Sequence, residues 1–193
     1  MIDGKRFIAR STDREAWLAA RADGVTATMV AEAATPAGFD KVIRSVNEPV
    51  EPNRFMAWGV EREPVIAMEV KARYPDVLPN DWLIRHEKHE WSMATPDGLS
   101  TDHKMIAEIK TTGQFFATIP ARYLRQVQWQ LYVTGAERCV FAFEERLETP
   151  DGLFVPGMDV TMRVVERDEK LIGELVGVAE RLMDHFTYES QVD

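Results

Sequence analysis

The stretch ATPDGLSTDHKMIAEIKTT, residues 94–112, decides how this chain is read. Within it, His103 to Lys110 reads as a strand bounded by polar turns. Side chains two apart on a strand share a face, so Glu108 and Lys110 point the same way. Asp97 lies in Pro-Asp-Gly, a turn signal, and the loop that follows can fold it back beside Glu108. Two carboxylates with the carbonyl of Ile109 make a hard, oxygen-rich donor set suited to Mg²⁺ or Mn²⁺. Lys110 adds a positive charge able to hold a water or to stabilise charge developing on a phosphate. These are the groups a metal-dependent nuclease requires.

The rest of the composition is compatible with that chemistry. A chain of 193 residues, 45% hydrophobic and 28% charged, suits a single domain over residues 1–193 with a sizeable core. No stretch approaches the length of a membrane span, and the first residues, MIDGKRFIARSTDREAW, lack an apolar signal segment. The single cysteine, Cys139, excludes an internal disulfide framework and a four-cysteine zinc or iron–sulfur site. Its ERCVFAFEE surroundings predict a buried strand thiol, and the cytoplasm is the expected compartment. A net charge of −9 argues against a protein that coats nucleic acid nonspecifically. It is compatible with a nuclease, because a bound metal offsets clustered carboxylates and a local basic track works on an acidic surface.

Repeats, low-complexity segments and long Gly/Ser linkers are absent. DREAWLAARAD predicts a first helix capped by Thr12 or Asp13 and ended by Gly24. VTATMVAEAA predicts a short second helix capped by Thr26 or Thr28. NRFMAWGVEREPVIAMEVKARY is a longer helical stretch with Pro64 as an expected kink. DWLIRH, EWSMA and HKMIAEIK read as short strands, and IPARYLRQVQWQLYVTG as a helix stopped by Gly135. ERCVFAFEER and DVTMRVVER are strand-like. From Asp168 to about Tyr188 the apolar residues Leu171, Ile172, Leu175, Val178, Leu182 and Phe186 recur at helical spacing. The expected fold is α/β or α+β, a central mixed β-sheet flanked by helices.

Further candidates lie outside the opening stretch. Glu63, beside Glu61 and Arg62, has the plain reading of a solvated carboxylate, but a two-metal site often takes a further carboxylate from a neighbouring helix. Tyr123, Gln126 and Gln130 share one helix face, whereas Gln128 falls on another. Their amides either form a solvated side or orient a water or nucleotide. Arg21, Thr26 and Thr28 surround the turn into the second helix, where capping or an anion site would each use them. His86 and His89, in HEKH, have no further Cys or His nearby to complete a zinc site.

Read in order, these segments resemble the lambda-exonuclease or YqaJ-type viral recombinase family, a branch of the PD-(D/E)XK nucleases. The resemblance runs from about Asp13 to Phe186. It is carried by R-x-D-G-V-T-A-T after Trp17, W-G-V-E-R-E at Trp58 to Glu63, A-T-P-D-G-L at Ala94 to Leu99 and E-I-K at Glu108 to Lys110. Y-L-R-Q-V-Q at Tyr123 to Gln128 and V-V-E-R-D-E-K at Val164 to Lys170 complete it.

The resemblance implies a restriction-endonuclease-like core. Asp97, Glu108 and the Ile109 carbonyl would bind Mg²⁺, with Mn²⁺ able to substitute and Glu63 near a second metal. Lys110 would be the catalytic lysine, Gln126 the glutamine beside the site, and Arg21 with Thr28 the holders of a 5′-phosphate. The implied activity is stepwise 5′→3′ digestion of one strand of linear double-stranded DNA, leaving a 3′ overhang for recombination. A ring-shaped homotrimer, a single-strand annealing partner and a phage or prophage origin come with it. Departures are the short Asp97–Glu108 loop, Thr111-Thr112 where Cys-Pro is common, and Pro64 directly after Glu63. A nickase or endonuclease on the same core, or a catalytically inactive DNA-binding subunit, are the competing readings.

Overall fold

The computed structural model describes residues 1–45, 48 and 51–189. Its centre is a βαβ unit. Strand β7 (Met105–Thr112) leads through helix α5 (Ala121–Thr134) to strand β8 (Arg138–Glu148), and β7 and β8 pair in parallel from Met105↔Arg138 to Thr112↔Glu145. The remaining pairs of this sheet are antiparallel: β9 (Phe154–Glu166) on β8, β6 (Gly98–Ser100) on β7, and β3 (Val77–Pro79) at the far edge. The result is a five-stranded mixed sheet.

Alternation along the strands sorts the core into two layers. Ile106, Cys139, Phe141 and Phe143 face α5 and helix α6 (Glu169–Glu189), packing on Val127, Leu131, Leu175 and Leu182. Ala107, Ile109, Val140 and Ala142 face helix α4 (Arg54–Arg73), packing on Ile66 and Val70. A strand covered on both faces must be apolar throughout, which is why CVFAF reads as a continuous buried run. Cys139 is a buried free thiol, and burial raises its pKa. Among the described residues no helix is long and apolar enough to cross a membrane.

A second sheet packs beside α5. It orders β1 (Phe7–Arg10), β4 (Trp82–Arg85), β5 (Ser92–Ala94) and β2 (Val25–Thr26). Helix α1 (Arg14–Ala22) is capped by Asp13, whose side chain accepts from the Ala16 N–H. Helix α2 (Ala27–Ala33) starts after Thr26, whose side chain makes no capping bond. Helix α3 (Pro36–Ser45) follows. Helix α4 is capped by Asn53 and runs through Pro64, and Gly135 ends α5 in the left-handed region at φ 78°.

The Pro-Asp-Gly segment bends the chain at Asp97, between β5 and β6. It opens strand β6, and the reversal into β7 comes later, at residues 101–104, where His103 takes φ 62°. Gly98 is required for close packing: a Cβ there would lie 2.9 Å from the Ala107 Cβ and 3.0 Å from Val77.

Candidate active site

The β6–β7 hairpin brings Asp97 beside Glu108. Gly98 pairs with Ala107, the Asp97 N–H donates to the Ala107 carbonyl at 3.0 Å, and the Asp97 Oδ2 accepts the Ile109 N–H at 2.6 Å. Asn80 braces this corner, its Nδ2 donating to the carbonyls of Pro96 (2.8 Å) and Trp82 (3.1 Å). Ile109 turns its side chain into the α4 layer, so Glu108 and Lys110 face the α5 side together.

Glu108 is almost fully buried, with 1% of its surface exposed. The Lys110 Nζ and the Gln126 Nε2 (2.6 Å) both donate to its Oε1, and the Gln130 Nε2 donates to its Oε2 at 2.6 Å. The helix-face spacing therefore brings Gln126 and Gln130 onto one carboxylate, with the Tyr123 ring 5.8 Å from the Lys110 ammonium. Gln128 points elsewhere, donating to the Glu166 carbonyl at 2.8 Å and accepting the Asp168 N–H at 2.9 Å. Gln130 belongs in the site with Gln126, four residues away on the same face.

Negative charge outnumbers positive here. Burial first, then Glu108 and Glu63, push the Asp97 carboxyl well above the usual range, while Lys110 and the Ile109 N–H oppose the rise. Glu63, on α4, is exposed yet sits among neighbours that desolvate it; that desolvation and Glu108 raise its pKa. Burial works against the charge on Lys110, but Glu108 and Asp97 outweigh it and hold the ammonium above the ordinary lysine range. Next to Glu63, Arg62 forms a bidentate pair with the buried Glu144 on β8, at 2.8 and 2.6 Å, and so ties α4 to the sheet.

Carboxylate oxygens of this kind suit a hard divalent cation. Among the described residues no three His, Cys, Asp or Glu side chains converge on one point; Glu63 couples to the other two carboxylates through charge. His86 and His89 are occupied elsewhere. The His86 Nδ1 accepts the N–H groups of Lys88 and His89, its ring stacks on Tyr132 at 4.2 Å, and the His89 Nδ1 lies 2.6 Å from the Tyr132 hydroxyl.

A depression of about 220 Å³, lined by Lys110, Gln126, Tyr123 and Thr28, adjoins a second of about 160 Å³ lined by Arg21, Thr26 and Thr28. Gln126 and Thr28 belong to both. The Arg21 guanidinium stacks on Trp17 at 4.1 Å and has no carboxylate partner among the described residues; burial and then Arg14 lower its pKa. Among the described residues, the buried Thr26 Oγ1 and Gln130 Oε1, whose residues both line this pocket, also have no hydrogen-bond partner. Helix α2 has only seven residues, so the anion site expected here rests on the guanidinium and the hydroxyls.

A family model for the YqaJ-like viral recombinase domain matches residues 16–137. An alkaline exonuclease from Laribacter hongkongensis is 26% identical, covering 92% of this chain and 95% of its own, with a TM-score of 0.77. The same enzyme in complex with dAMP superposes with a TM-score of 0.71. A phage-related exonuclease from Haemophilus somnus 129PT, at 14% identity, shares the fold over 88% of this chain and 96% of its own, with a TM-score of 0.71. No curated protein matches.

Proposed function

The chain belongs to the YqaJ-like viral recombinase domain family, and we propose that on its PD-(D/E)XK-like core it is a Mg²⁺-dependent 5′→3′ exonuclease. Its substrate is linear double-stranded DNA, of which it digests one strand to leave 3′ overhangs for phage-type recombination. The observation that carries this reading is the continuity of two depressions. One is lined by Lys110 and Gln126, both of which donate to the buried Glu108, and the other by Arg21, which has no carboxylate partner among the described residues.

The donors fit a hard cation: Asp97 and Glu108 share one lysine, and burial, then the charge of Glu108, raises the pKa of Asp97 and of Glu63. Asp97, Glu108 and the Ile109 carbonyl would hold Mg²⁺ or Mn²⁺, with Glu63 beside a second ion. When bound, the ion supplies Lewis acidity, activating water and neutralising phosphoryl charge. The Lys110 ammonium, kept protonated by Glu108 and Asp97, stabilises charge developing on the phosphoryl oxygens. Gln126 and Gln130 fix the Glu108 carboxylate so that its oxygens need not reorganise during reaction. Arg21, with the Thr28 hydroxyl, grips a terminal 5′-phosphate, whose charge exceeds that of an internal diester. A homotrimer encircling the duplex, a single-strand annealing partner and action in the host cytoplasm complete the proposal.

The test is digestion of end-labelled linear duplex with Mg²⁺ and with chelator, beside covalently closed circular plasmid. Metal-dependent release of 5′-nucleotides from linear ends, with the circle intact, is the expected result. Rapid nicking of the circle without regard to ends would replace this reading with an endonuclease.

A further inference from the structure

A third depression continues the line. It is an open cleft of about 460 Å³ between the Thr111–Gln114 segment and Arg146, and it meets the Lys110 depression at Tyr123. Arg21, Lys110 and Arg146 therefore stand along one track, with Lys110 in the middle. Arg146 lies on β8 beyond the residues matched by the family model, at the irregularity in the β8–β9 register.

Its surroundings set it apart from the structural arginines nearby. Arg62 is paired with Glu144, Arg54 with Glu148, and Arg163 donates to the carbonyls of Phe116 (2.5 Å) and Ala117 (2.8 Å). Among the described residues, Arg146 has no hydrogen-bond or ion-pair partner. Its guanidinium is 4.5 Å from the Phe55 ring and 4.8 Å from the Phe154 ring. Two aromatic rings hold its position without consuming its five donors. Gly113 keeps the opposite wall low, since a Cβ there would approach the Arg146 Nη2 to 3.3 Å.

We infer that Arg146 binds a backbone phosphate of the digested strand on the 3′ side of the cut, which makes the Thr111–Gln114 cleft the seat of the strand that stays with the enzyme. A strand whose terminal phosphate lies at Arg21 and whose first diester lies at Lys110 continues into this cleft. The inference rests on the exonuclease reading for its direction. The anion-binding role of Arg146 stands on its own geometry. A fixed, unpaired, bidentate donor in a roomy polar cleft suits a phosphodiester, and a clamp there would resist release of the shortened strand between cuts.

The experiment compares wild type, Arg146→Gln and Arg146→Lys on duplexes carrying one uncharged methylphosphonate linkage at successive positions 3′ of the cut. In wild type, one such linkage should raise KM about tenfold, the scale of one charge-assisted contact. Arg146→Gln should show that loss on unmodified DNA and no further loss at that linkage, while Arg146→Lys retains most of the binding. In chelator, where nothing is cut, the slope of log affinity against log salt should fall by about one for Arg146→Gln. Thermal melts of both variants separate lost binding from lost folding. If wild type fails to digest linear DNA but the salt slope still falls, the exonuclease reading fails and the phosphate contact stands. Equal KM, equal salt slope and an unchanged methylphosphonate profile in Arg146→Gln would overturn the inference.

Discussion

Glu108 and Glu144 are both buried carboxylates on neighbouring strands of one sheet, 1% and 3% exposed, and each is held by a cation. Their surroundings differ in charge balance. Glu144 meets one arginine that offers a planar fork, so the pair is neutral and its geometry closed. Glu108 meets one lysine and two glutamine amides, and after burial its charge is the next cause of the raised pKa of both Asp97 and Glu63. The first arrangement answers a structural need, tying α4 to the sheet. The second sets more carboxyl groups than cations in a desolvated corner, an imbalance that a bound divalent cation would relieve.

The largest effects should come from the unbalanced cluster. Asp97→Asn or Lys110→Ala should cut turnover about a thousandfold or more, roughly 4 kcal/mol of barrier, while DNA binding survives. In chelator, Asp97→Asn should melt no lower than wild type, because it removes a desolvated like charge beside Glu108. Near-normal cleavage by purified Lys110→Ala would remove that residue from the mechanism.

The balanced pair should behave in the opposite sense. Arg62→Met leaves Glu144 buried without its partner and should cost about 3 kcal/mol of stability in denaturant unfolding. A loss below about 1 kcal/mol would mean that the pair does not secure α4.

Smaller changes sharpen the role of the amides. Gln126→Leu and Gln130→Leu should each lower kcat by about tenfold, and the double variant by less than the product, since both act on one carboxylate. Full multiplicativity would show that they act separately.

The smallest effect concerns a group that resolves burial by giving up its charge. Burial, then His89 and Arg6, depress the His86 pKa from 6.5 to about 4. The unfolded chain therefore binds more protons than the fold between these values. The stability that His86 contributes is complete above about pH 6.5 and declines as the pH falls toward 4. Melting temperatures from pH 7.5 to 5 should drop less in His86→Asn than in wild type; parallel curves would assign the decline to other groups.

What the sequence disclosed follows from short-range geometry. The two-residue strand period put Glu108 and Lys110 on one face, and the i, i+4 spacing put Gln130 beside Gln126. The bend at Pro-Asp-Gly is legible from its residue types, but the close approach of Ala107 and Val77 that Gly98 permits comes from strands distant in sequence. The second sheet escaped because β1 and β2 have four and two residues, too few to show a period. The Arg62–Glu144 pair spans 82 residues of sequence, and the isolation of Arg146 is a property of the assembled surface. Neither leaves a local pattern.

If the crowded carboxyl groups around Glu108 form a divalent-cation site, the protein binds that cation without DNA. Mn²⁺ titration followed by electron paramagnetic resonance tests it without any substrate. Wild type should bind Mn²⁺, with competition by Mg²⁺, and Asp97→Asn and Glu108→Gln should each weaken binding by at least about tenfold, the scale of one lost charge-assisted interaction. Unchanged Mn²⁺ binding in both variants would contradict the assignment.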